Sequence, residues 1–178
     1  MQTWKTLSRK TILDRSPYLV VEEHQIQLPD GRIIDDWTWV ITPDFVIIVA
    51  ITDEGKWLCF RQVKYAIGGI TLAPVGGYIK EGEDPLVAAK RELREETGYE
   101  ASIWNSMGKY IVDANRGKAT GYLFLACAAH KVTEIDSDDL EEQQMLFLSR
   151  KEVETAVVHG KFKEISYQTA MALALLQP

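Results

Sequence analysis

The stretch Gly77–Tyr99, GYIKEGEDPLVAAKRELREETGY, decides the fold because it combines a loop, a helix start, an amphipathic helix and a helix stop. Asp84 followed by Pro85 is typical of a helix N-terminus, where an aspartate caps backbone N–H groups and proline fits the first turn. Gly98 is the residue type favoured just beyond a helix C-terminus. The apolar residues recur at helical spacing: Leu86, Ala89 and Leu93. The sequence therefore predicts a helix over Pro85–Thr97 with this face against a core.

The opposite face of this helix is crowded with carboxylates. Glu92, Glu95 and Glu96 lie three and four positions apart, which places their Cβ atoms about 5 to 6 Å from one another. Each like-charged pair costs roughly 0.2–0.5 kcal/mol on an exposed helix, but about 3 kcal/mol in a cleft with an effective dielectric near 20. A divalent cation removes this repulsion, and carboxylate oxygens suit Mg²⁺. The alternative is a solvated acidic face paired with Arg91 and Arg94.

Nine positions of this stretch resemble the Nudix box, G x5 E x7 R E U x E E x G U, in which U is a bulky apolar residue. The seven identities are Gly77, Glu83, Arg91, Glu92, Glu95, Glu96 and Gly98, and the two U positions hold Leu93 and Tyr99. Seven identities at roughly one in fifteen each match by chance on the order of 10⁻⁸ per register. The chain is therefore identified as a member of the Nudix hydrolase superfamily.

This resemblance implies the Nudix fold, an α+β (α/β/α) sandwich in which a mixed β-sheet lies between helices. It also implies hydrolysis of a nucleoside diphosphate linked to another group X, with Mg²⁺ or Mn²⁺ as the cofactor. Glu92 and Glu96 would bind the metal directly. Glu95 and Glu83 would bind a further ion or a metal-bound water, and the backbone carbonyl of Gly76 would join them.

Two further catalytic roles follow from the resemblance. Arg91 would pair with Glu95 one turn later and orient it, the alternative being an ordinary surface ion pair. The base that accepts a proton from water would come from the acidic segment 136–142, DSDDLEE. The candidates are Glu141, which is also a candidate metal ligand, and Glu142, with Asp139 third. The alternative for this segment is a solvated acidic turn.

The residues before the box point to a branch of the superfamily. FRQVK at residues 60–64 and GGITLAPVGG at residues 68–77 are similar to the RQYR…LELPAG stretch of ADP-ribose and nucleotide-sugar pyrophosphatases. This similarity implies ADP-ribose or another nucleotide sugar as the substrate, with a nucleoside monophosphate and a phosphorylated X as products. Arg61, Lys64 and Gly77 would contact it. Lys64 replaces the usual arginine, so it offers a point charge instead of a bidentate fork.

The N-terminal region reads as a β-hairpin, because the strand-like runs Tyr18–Leu28 and Ile33–Ile41 are separated by a Pro-Asp-Gly turn. We therefore predict a hairpin region over residues 1–42 and a Nudix domain over residues 43–178. In the resembled branch the N-terminal strands contact the partner of a homodimer. Trp37 and Trp39 point to one face of their strand, where Trp37 would stack on the base or both would line the dimer contact.

The remaining elements follow from apolar patterning and helix caps. Phe45–Ile51 is an unbroken apolar run, typical of a strand buried on both faces. Ser149 and Glu152 form a capping-box pattern that predicts a helix ending near Gly160. The glycine-rich residues 68–82 are interpreted as a loop. Further strands are predicted at Trp57–Val63, Lys109–Asp113, Tyr122–Ala129 and Met145–Leu148, and a last helix at Ser166–Leu176.

Composition excludes several classes of protein. The formal net charge is −6, so the chain lacks the general cationic field that attracts nucleic acids and anionic membranes. No apolar run reaches the roughly eighteen residues of a membrane span, and the polar N-terminus lacks a signal-peptide pattern. Cys59 and Cys127 are interpreted as buried thiols, with a disulfide as the alternative. We expect a cytoplasmic protein without nucleic-acid or membrane partners.

Other functions fit these residues less well than the Nudix interpretation does. The glycines at positions 77 and 82 have Walker A spacing, but Glu83 and Asp84 stand where that loop needs lysine and serine or threonine, which excludes a P-loop NTPase. A hydrolase of nucleoside triphosphates or dinucleoside polyphosphates stays open as an alternative substrate class. A nucleotide-sensing Nudix domain without hydrolysis also stays open, although the intact carboxylates of the box favour an enzyme.

Overall fold

Ten strands and three α-helices form within residues 1–135 and 142–177, the part of the chain that this computed structural model describes. The strands are β1 Lys5–Arg15, β2 Leu19–Gln27, β3 Ile33–Ile41, β4 Phe45–Thr52, β5 Trp57–Lys64, β6 Gly69–Ala73, β7 Val75–Tyr78, β8 Tyr99–Ile111, β9 Thr120–Lys131 and β10 Gln143–Leu148. The helices are α1 Pro85–Thr97, α2 Arg150–Val158 and α3 Ile165–Leu175. A short 3₁₀ helix covers Tyr65–Ile67. The chain divides into two units, residues 1–44 with 110–120, and the remainder.

The first unit is built on an antiparallel sheet in the order β1-β2-β3. The predicted hairpin is confirmed as β2 and β3, with His24 opposite Trp37. Strand β1 extends the sheet on the other side of β2, with Arg9 opposite His24. The loop of residues 112–119 is fastened to β3, because the Val40 N–H donates to the Arg116 carbonyl at 2.8 Å.

The second unit is a mixed sheet between helices, which confirms the predicted fold class. The described strands follow the order β10-β5-β4-β9-β8, β6 pairs with β5, and β7 pairs with β4. Strand β4 runs parallel to β9 and antiparallel to β5 and β7. Residues 46–50 of β4 are at most 3% exposed, so this strand is buried on both faces as its apolar run predicts.

Helices cover both faces of this sheet. On one face, Leu93 of α1 packs in a cluster with Ile48 and Phe60. On the other face, Val153 of α2 and Met171 of α3 pack in a cluster that also contains Val49, Trp57 and Cys59. Within residues 1–135 and 142–177, no helix is both long and apolar enough to cross a bilayer.

Four strands differ substantially from the sequence prediction. β1 was not predicted, since all of its residues are exposed and they carry no apolar alternation. β8 spans Tyr99–Ile111 instead of Lys109–Asp113; most of its residues are exposed, so its sequence lacks the signature of a buried strand. The glycine-rich segment, predicted as a loop, contains β6 and β7. These strands form by pairing with β5 and β4, which the local composition does not indicate.

The predicted α2 capping box is present, with the Ser149 N–H donating to Glu152 Oε2 at 2.7 Å.

Candidate active site

Helix α1 is fixed at both ends by the residues that its sequence places there. Asp84 accepts hydrogen bonds from the backbone N–H groups of Leu86 and Val87 at 2.9 and 3.2 Å, and Pro85 is the first helical residue. Gly98 adopts a left-handed φ of 74° and donates its N–H to the Arg94 carbonyl. A Cβ at Gly98 would lie 2.2 Å from the carbonyl oxygen of residue 133. The carboxylates of α1 are therefore presented by a helix of fixed length and direction.

Arg91 gathers the glutamates of this region around one guanidinium. Its Nε and Nη2 atoms donate to the two oxygens of Glu83, each at 2.9 Å. Its Nη1 atom donates to Glu92 at 2.6 Å and to Glu95 at 3.0 Å. The pair of Arg91 with Glu95 that the sequence predicts is present, and Arg91 also contacts the Tyr78 carbonyl at 3.1 Å. These bonds hold three carboxylates together in spite of their mutual repulsion.

Of the two carboxylates on α1 that bond Arg91, Glu92 is the more buried. Its side chain is 12% exposed, against 44% for Glu95. Burial raises the pKa of Glu92, and the bond from Arg91 opposes that rise. Gly77 makes the space that this carboxylate occupies, because a Cβ at Gly77 would lie 2.2 Å from Glu92 Cδ and 2.4 Å from both of its oxygens. The position of Glu92 therefore requires a glycine at residue 77.

Glu96 lies against the glycine pair of residues 76 and 77, where the box begins. The Gly76 N–H donates to Glu96 Oε2 at 3.4 Å. Gly76 cannot carry a side chain without disturbing β4, because a Cβ there would lie 2.7 Å from the Val46 carbonyl oxygen. The backbone of residues 76 and 77 therefore approaches Glu92 and Glu96 directly, and the carbonyl of Gly76 belongs to the same small region.

The donors of this region fit a hard divalent cation in their chemistry. They are carboxylate oxygens and a backbone carbonyl, the ligands that Mg²⁺ and Mn²⁺ prefer, and Gly77 leaves the room that Glu92 occupies. Within the described residues no three acidic, histidine or cysteine side chains already converge as a metal site. Arg91 engages oxygens of Glu83, Glu92 and Glu95. A cation bound at these carboxylates would therefore compete with Arg91 for the same oxygens.

The Glu83–Arg91 pair leads to a pH-dependent prediction. Hydrogen bonds from Arg91 lower the pKa of Glu83 from 4.5 to about 2. A carboxylate with a lowered folded-state pKa contributes stability above its unfolded pKa and loses it as the pH falls toward the folded value. We expect metal-free Glu83→Gln to be less stable than the parent at pH 7, with the difference in unfolding free energy narrowing between about pH 5 and pH 3.

Chemical denaturation at several pH values measures this difference. Glu81→Gln is the matched control, because Glu81 is exposed, and it should stay close to the parent throughout. A Glu83→Gln deficit that is constant from pH 7 to pH 3 would contradict the assigned cause of the lowered pKa.

The predicted substrate contacts on β5 lie on different faces of the strand. Arg61 follows Phe60, whose ring packs in the cluster with α1, and side chains alternate along a strand. Arg61 is therefore on the face of α2 and α3, exposed and opposite Leu72. Lys64, three positions later, is half-buried on the face of α1. The structure thus does not bring Arg61 together with the carboxylates of α1.

Of the three candidates for the catalytic base, Asp139 and Glu141 lie outside the described residues. Glu142 is described; it is exposed and directly precedes β10. Strand β10 begins with Gln143 opposite Gln62 of β5.

Trp37 lies in the N-terminal unit, in a pocket that the sequence did not predict. Its Nε1 atom donates to the Asn115 carbonyl at 3.0 Å. Its ring meets the edge of Trp4, with the ring centroids 5.4 Å apart and the planes at 79°. Trp39 lines the same pocket and stacks on His24 with the centroids 5.2 Å apart. The shared face of Trp37 and Trp39 is therefore an aromatic surface within this unit.

Comparison with protein families gives two matches along the chain. Residues 41–168 match the NUDIX domain. Residues 4–40 match the nucleoside diphosphate sugar hydrolase N-terminal domain. The first match covers more than half of the chain and includes the whole of α1 with its carboxylates.

Curated relatives and solved structures are similar along most of the chain. An ADP-ribose pyrophosphatase of Bacillus subtilis (strain 168) is 27% identical, with 97% of this chain and 95% of the relative covered. A methanol dehydrogenase activator of Bacillus methanolicus is 28% identical, with 85% and 81% covered. The crystal structure of an ADP compounds hydrolase superposes with a TM-score of 0.80 at 20% identity, covering 98% of this chain and 93% of that one. At that identity the superposition shows the fold.

Proposed function

The chain belongs to the Nudix domain family and is a hydrolase of phosphoric anhydride bonds, and from this premise we propose that its substrate is ADP-ribose or another nucleotide sugar. Mg²⁺-dependent cleavage of the diphosphate would give a nucleoside monophosphate and a phosphorylated X. Two relatives of nearly equal identity carry different names. The residues of α1 and of the N-terminal unit therefore support the proposed substrate class.

The observation that carries the proposal is the enclosure of Glu92 against Gly77. A buried carboxylate with a raised pKa is costly unless a positive group compensates it. In this chain the compensation comes from Arg91 at 2.6 Å. A second carboxylate, Glu96, lies against the adjacent Gly76 N–H. Burying a carboxylate in this way costs stability, and such costly arrangements are typical of functional sites.

Glu92, Glu96 and the Gly76 carbonyl would hold the cation, with Glu83 and Glu95 as further donors. A bound divalent cation neutralises phosphate oxygens and lowers the pKa of water. Arg91 has two tasks in this proposal: it orients Glu95 through the 3.0 Å bond, and it holds Glu83 in a bidentate pair. Glu142, Glu141 or Asp139 would accept the proton of the attacking water.

The N-terminal unit would bind the base, with Trp37 as a stacking surface. Replacing Trp37 by Ala should raise KM for ADP-ribose about tenfold and change kcat less, because base stacking is worth roughly 1–3 kcal/mol. Trp37→Phe keeps an aromatic ring for stacking, although it loses the hydrogen bond to Asn115. Its KM should therefore stay near that of the parent. Steady-state kinetics measures both variants.

A different result for Trp37→Ala would favour a role for Trp37 in the dimer contact. An unchanged KM in Trp37→Ala, with a weaker dimer in light scattering, would contradict base stacking and support the dimer-contact interpretation.

We propose a homodimer formed through the N-terminal strands, and a cytoplasmic location in which both cysteines stay reduced. Cys59 and Cys127 are free thiols, and burial raises the pKa of Cys59 to about 12.

A substrate panel with product identification tests the proposed function. The panel contains ADP-ribose, other nucleotide sugars, dinucleoside polyphosphates and nucleoside triphosphates, each with and without Mg²⁺. ADP-ribose should give AMP and ribose phosphate as the fastest reaction. Faster release of pyrophosphate from a nucleoside triphosphate would favour the alternative hydrolase, and binding without cleavage of any compound would favour a nucleotide sensor.

A further inference from the structure

Lys80 lies on the loop of residues 79–84, which joins β7 to α1. The backbone of this loop is tied to Glu83 at two points. The Lys80 N–H donates to Glu83 Oε2 at 3.0 Å, and the Glu83 N–H donates to the Lys80 carbonyl at 3.0 Å. Glu83 is in turn bonded twice to Arg91. The backbone of Lys80 is therefore fixed next to the Arg91–Glu83 pair.

The side chain of Lys80 is exposed and has no partner among the described residues. Ile79 packs against the core cluster that contains Leu93, whereas Tyr78 and Lys80 on either side of it are exposed, as in an extended segment. Within the described chain, the Lys80 ammonium has neither a hydrogen bond nor an ion pair. Arg91, by contrast, is bonded to three glutamates. Lys80 is therefore a cation that remains available to a ligand.

The charge of Lys80 acts on the carboxylates of the site without a bond to them. Hydrogen bonds from Arg91 are the main cause of the lowered pKa of Glu83, and the charge of Lys80 lowers this pKa further. Burial raises the pKa of Glu92, and the charges of Arg91 and Lys80 oppose that rise. Such effects fade beyond a Debye length of about 8 Å at physiological ionic strength. The pKa shifts thus agree with the backbone bonds in placing Lys80 at the rim of these carboxylates.

A diphosphate at this site would meet an excess of negative charge. Its oxygens are anionic at neutral pH, and the site holds several carboxylates around one guanidinium. A bound divalent cation neutralises part of this charge. The chain as a whole has a net charge of −6, so it supplies no general attraction for an anion. An unpaired ammonium at the rim offsets the remaining repulsion through charge-assisted hydrogen bonds.

We propose that Lys80 is a substrate-binding residue, whose ammonium contacts a phosphate oxygen of the diphosphate that is cleaved. The inference concerns the same site as the proposed function, but it depends on neither the base nor group X. It requires only hydrolysis of a phosphoric anhydride, which the family establishes. Because Lys80 lies outside the proposed cation ligands, its contact stabilises the bound substrate and the transition state alike.

Steady-state kinetics of Lys80→Gln tests this contact at saturating Mg²⁺, with the compound of the substrate panel that is cleaved fastest. We expect KM to rise about tenfold while kcat changes little, as for the loss of uniform binding. Lys80→Arg keeps the positive charge and should recover most of the affinity. Lys90→Gln is the matched control, because Lys90 is exposed on α1, and it should keep the KM of the parent.

Ionic strength provides a readout that a purely structural role would not change. The ratio of kcat/KM between the parent and Lys80→Gln should shrink toward one as salt is raised from about 0.05 to 0.5 M, because salt screens the ammonium. The melting temperature of Lys80→Gln should equal that of the parent, since the variant keeps the backbone N–H that bonds Glu83. A ratio that does not depend on salt would overturn the proposal.

Three further results would also overturn it. They are a KM in Lys80→Gln within about twofold of the parent, an equal rise in Lys80→Arg, and an equal rise in Lys90→Gln. The last would assign the effect to the overall charge of the protein instead of a contact. A panel led by a nucleoside triphosphate would contradict the proposed nucleotide-sugar substrate, while the test of Lys80 would proceed with that compound.

Discussion

Replacing Glu96 by Gln is expected to lower kcat for ADP-ribose by roughly 10²–10³-fold, since a preorganised charged group at the reacting centre is lost. The glutamine keeps the size of the side chain, and its amide oxygen can still accept from the Gly76 N–H, which bonds Glu96 Oε2 at 3.4 Å. No core area is removed, so the fold and the melting temperature should change little. What is lost is one negative charge of the proposed cation site.

Glu100→Gln is the matched control for Glu96→Gln. Glu100 follows α1 on an exposed position and pairs with Arg94 at 3.2 Å. Such surface pairs contribute little to stability, so the control should keep both activity and stability. Near-parental kcat in Glu96→Gln at saturating Mg²⁺ would contradict the assignment of Glu96 as a metal ligand. Partial recovery at higher Mg²⁺ would instead agree with weakened cation binding.

The Gly77→Ala variant is expected to lose activity by about two orders of magnitude, because displacing a catalytic group by 1 Å costs on that order. The added Cβ would lie 2.2 Å from Glu92 Cδ, so the carboxylate must move. Moving it also disturbs the bond to Arg91 at 2.6 Å, and with it the Glu83 and Glu95 contacts. Kinetics and thermal unfolding, measured together, separate the loss of activity from the loss of stability.

Gly69→Ala provides the comparison for Gly77→Ala. Gly69 lies in β6, and a Cβ there would meet nothing within 4 Å. This control should therefore be close to the parent in rate and melting temperature. Full activity in Gly77→Ala would mean that Glu92 can leave its place at no cost, which would contradict the role given to its enclosure.

The sequence predicts those features that depend on local signals. Asp84, Pro85 and Gly98 mark the ends of α1, and each is found in that role. The apolar run of β4 predicts a strand buried on both faces, which the structure confirms. The box also predicts the pairing of Arg91 with Glu95 at i, i+4. All of these follow from residues close together in the chain.

Features that depend on contacts distant in sequence were not predicted. The bidentate bond between Arg91 and Glu83 requires the loop before α1 to fold back on the helix. The steric demand of Glu92 on Gly77 arises in the same way. The opposite faces of Arg61 and Lys64 could have been read from alternation along the predicted strand. The motif match alone gave both residues one role.

The pocket of the N-terminal unit was also not predicted from the sequence. Glu22 and His24 lie two apart on a predicted strand, so their shared face could be predicted, but no sequence pattern marked either residue as part of a site. The partner of Trp39 was not readable. Gly117, from a loop 78 positions away, lies so close that a Cβ there would be 1.9 Å from the Trp39 ring.

Anomalous diffraction from crystals soaked in Mn²⁺ tests the central claim most directly. The account predicts an anomalous peak within roughly 2–2.3 Å of carboxylate oxygens of Glu92 and Glu96, with Arg91 withdrawn from at least one glutamate. Crystals of Glu96→Gln, treated identically, should show a weaker peak or none. Parental crystals without a peak at these oxygens, in which Arg91 keeps its bonds to Glu83, Glu92 and Glu95, would contradict the account.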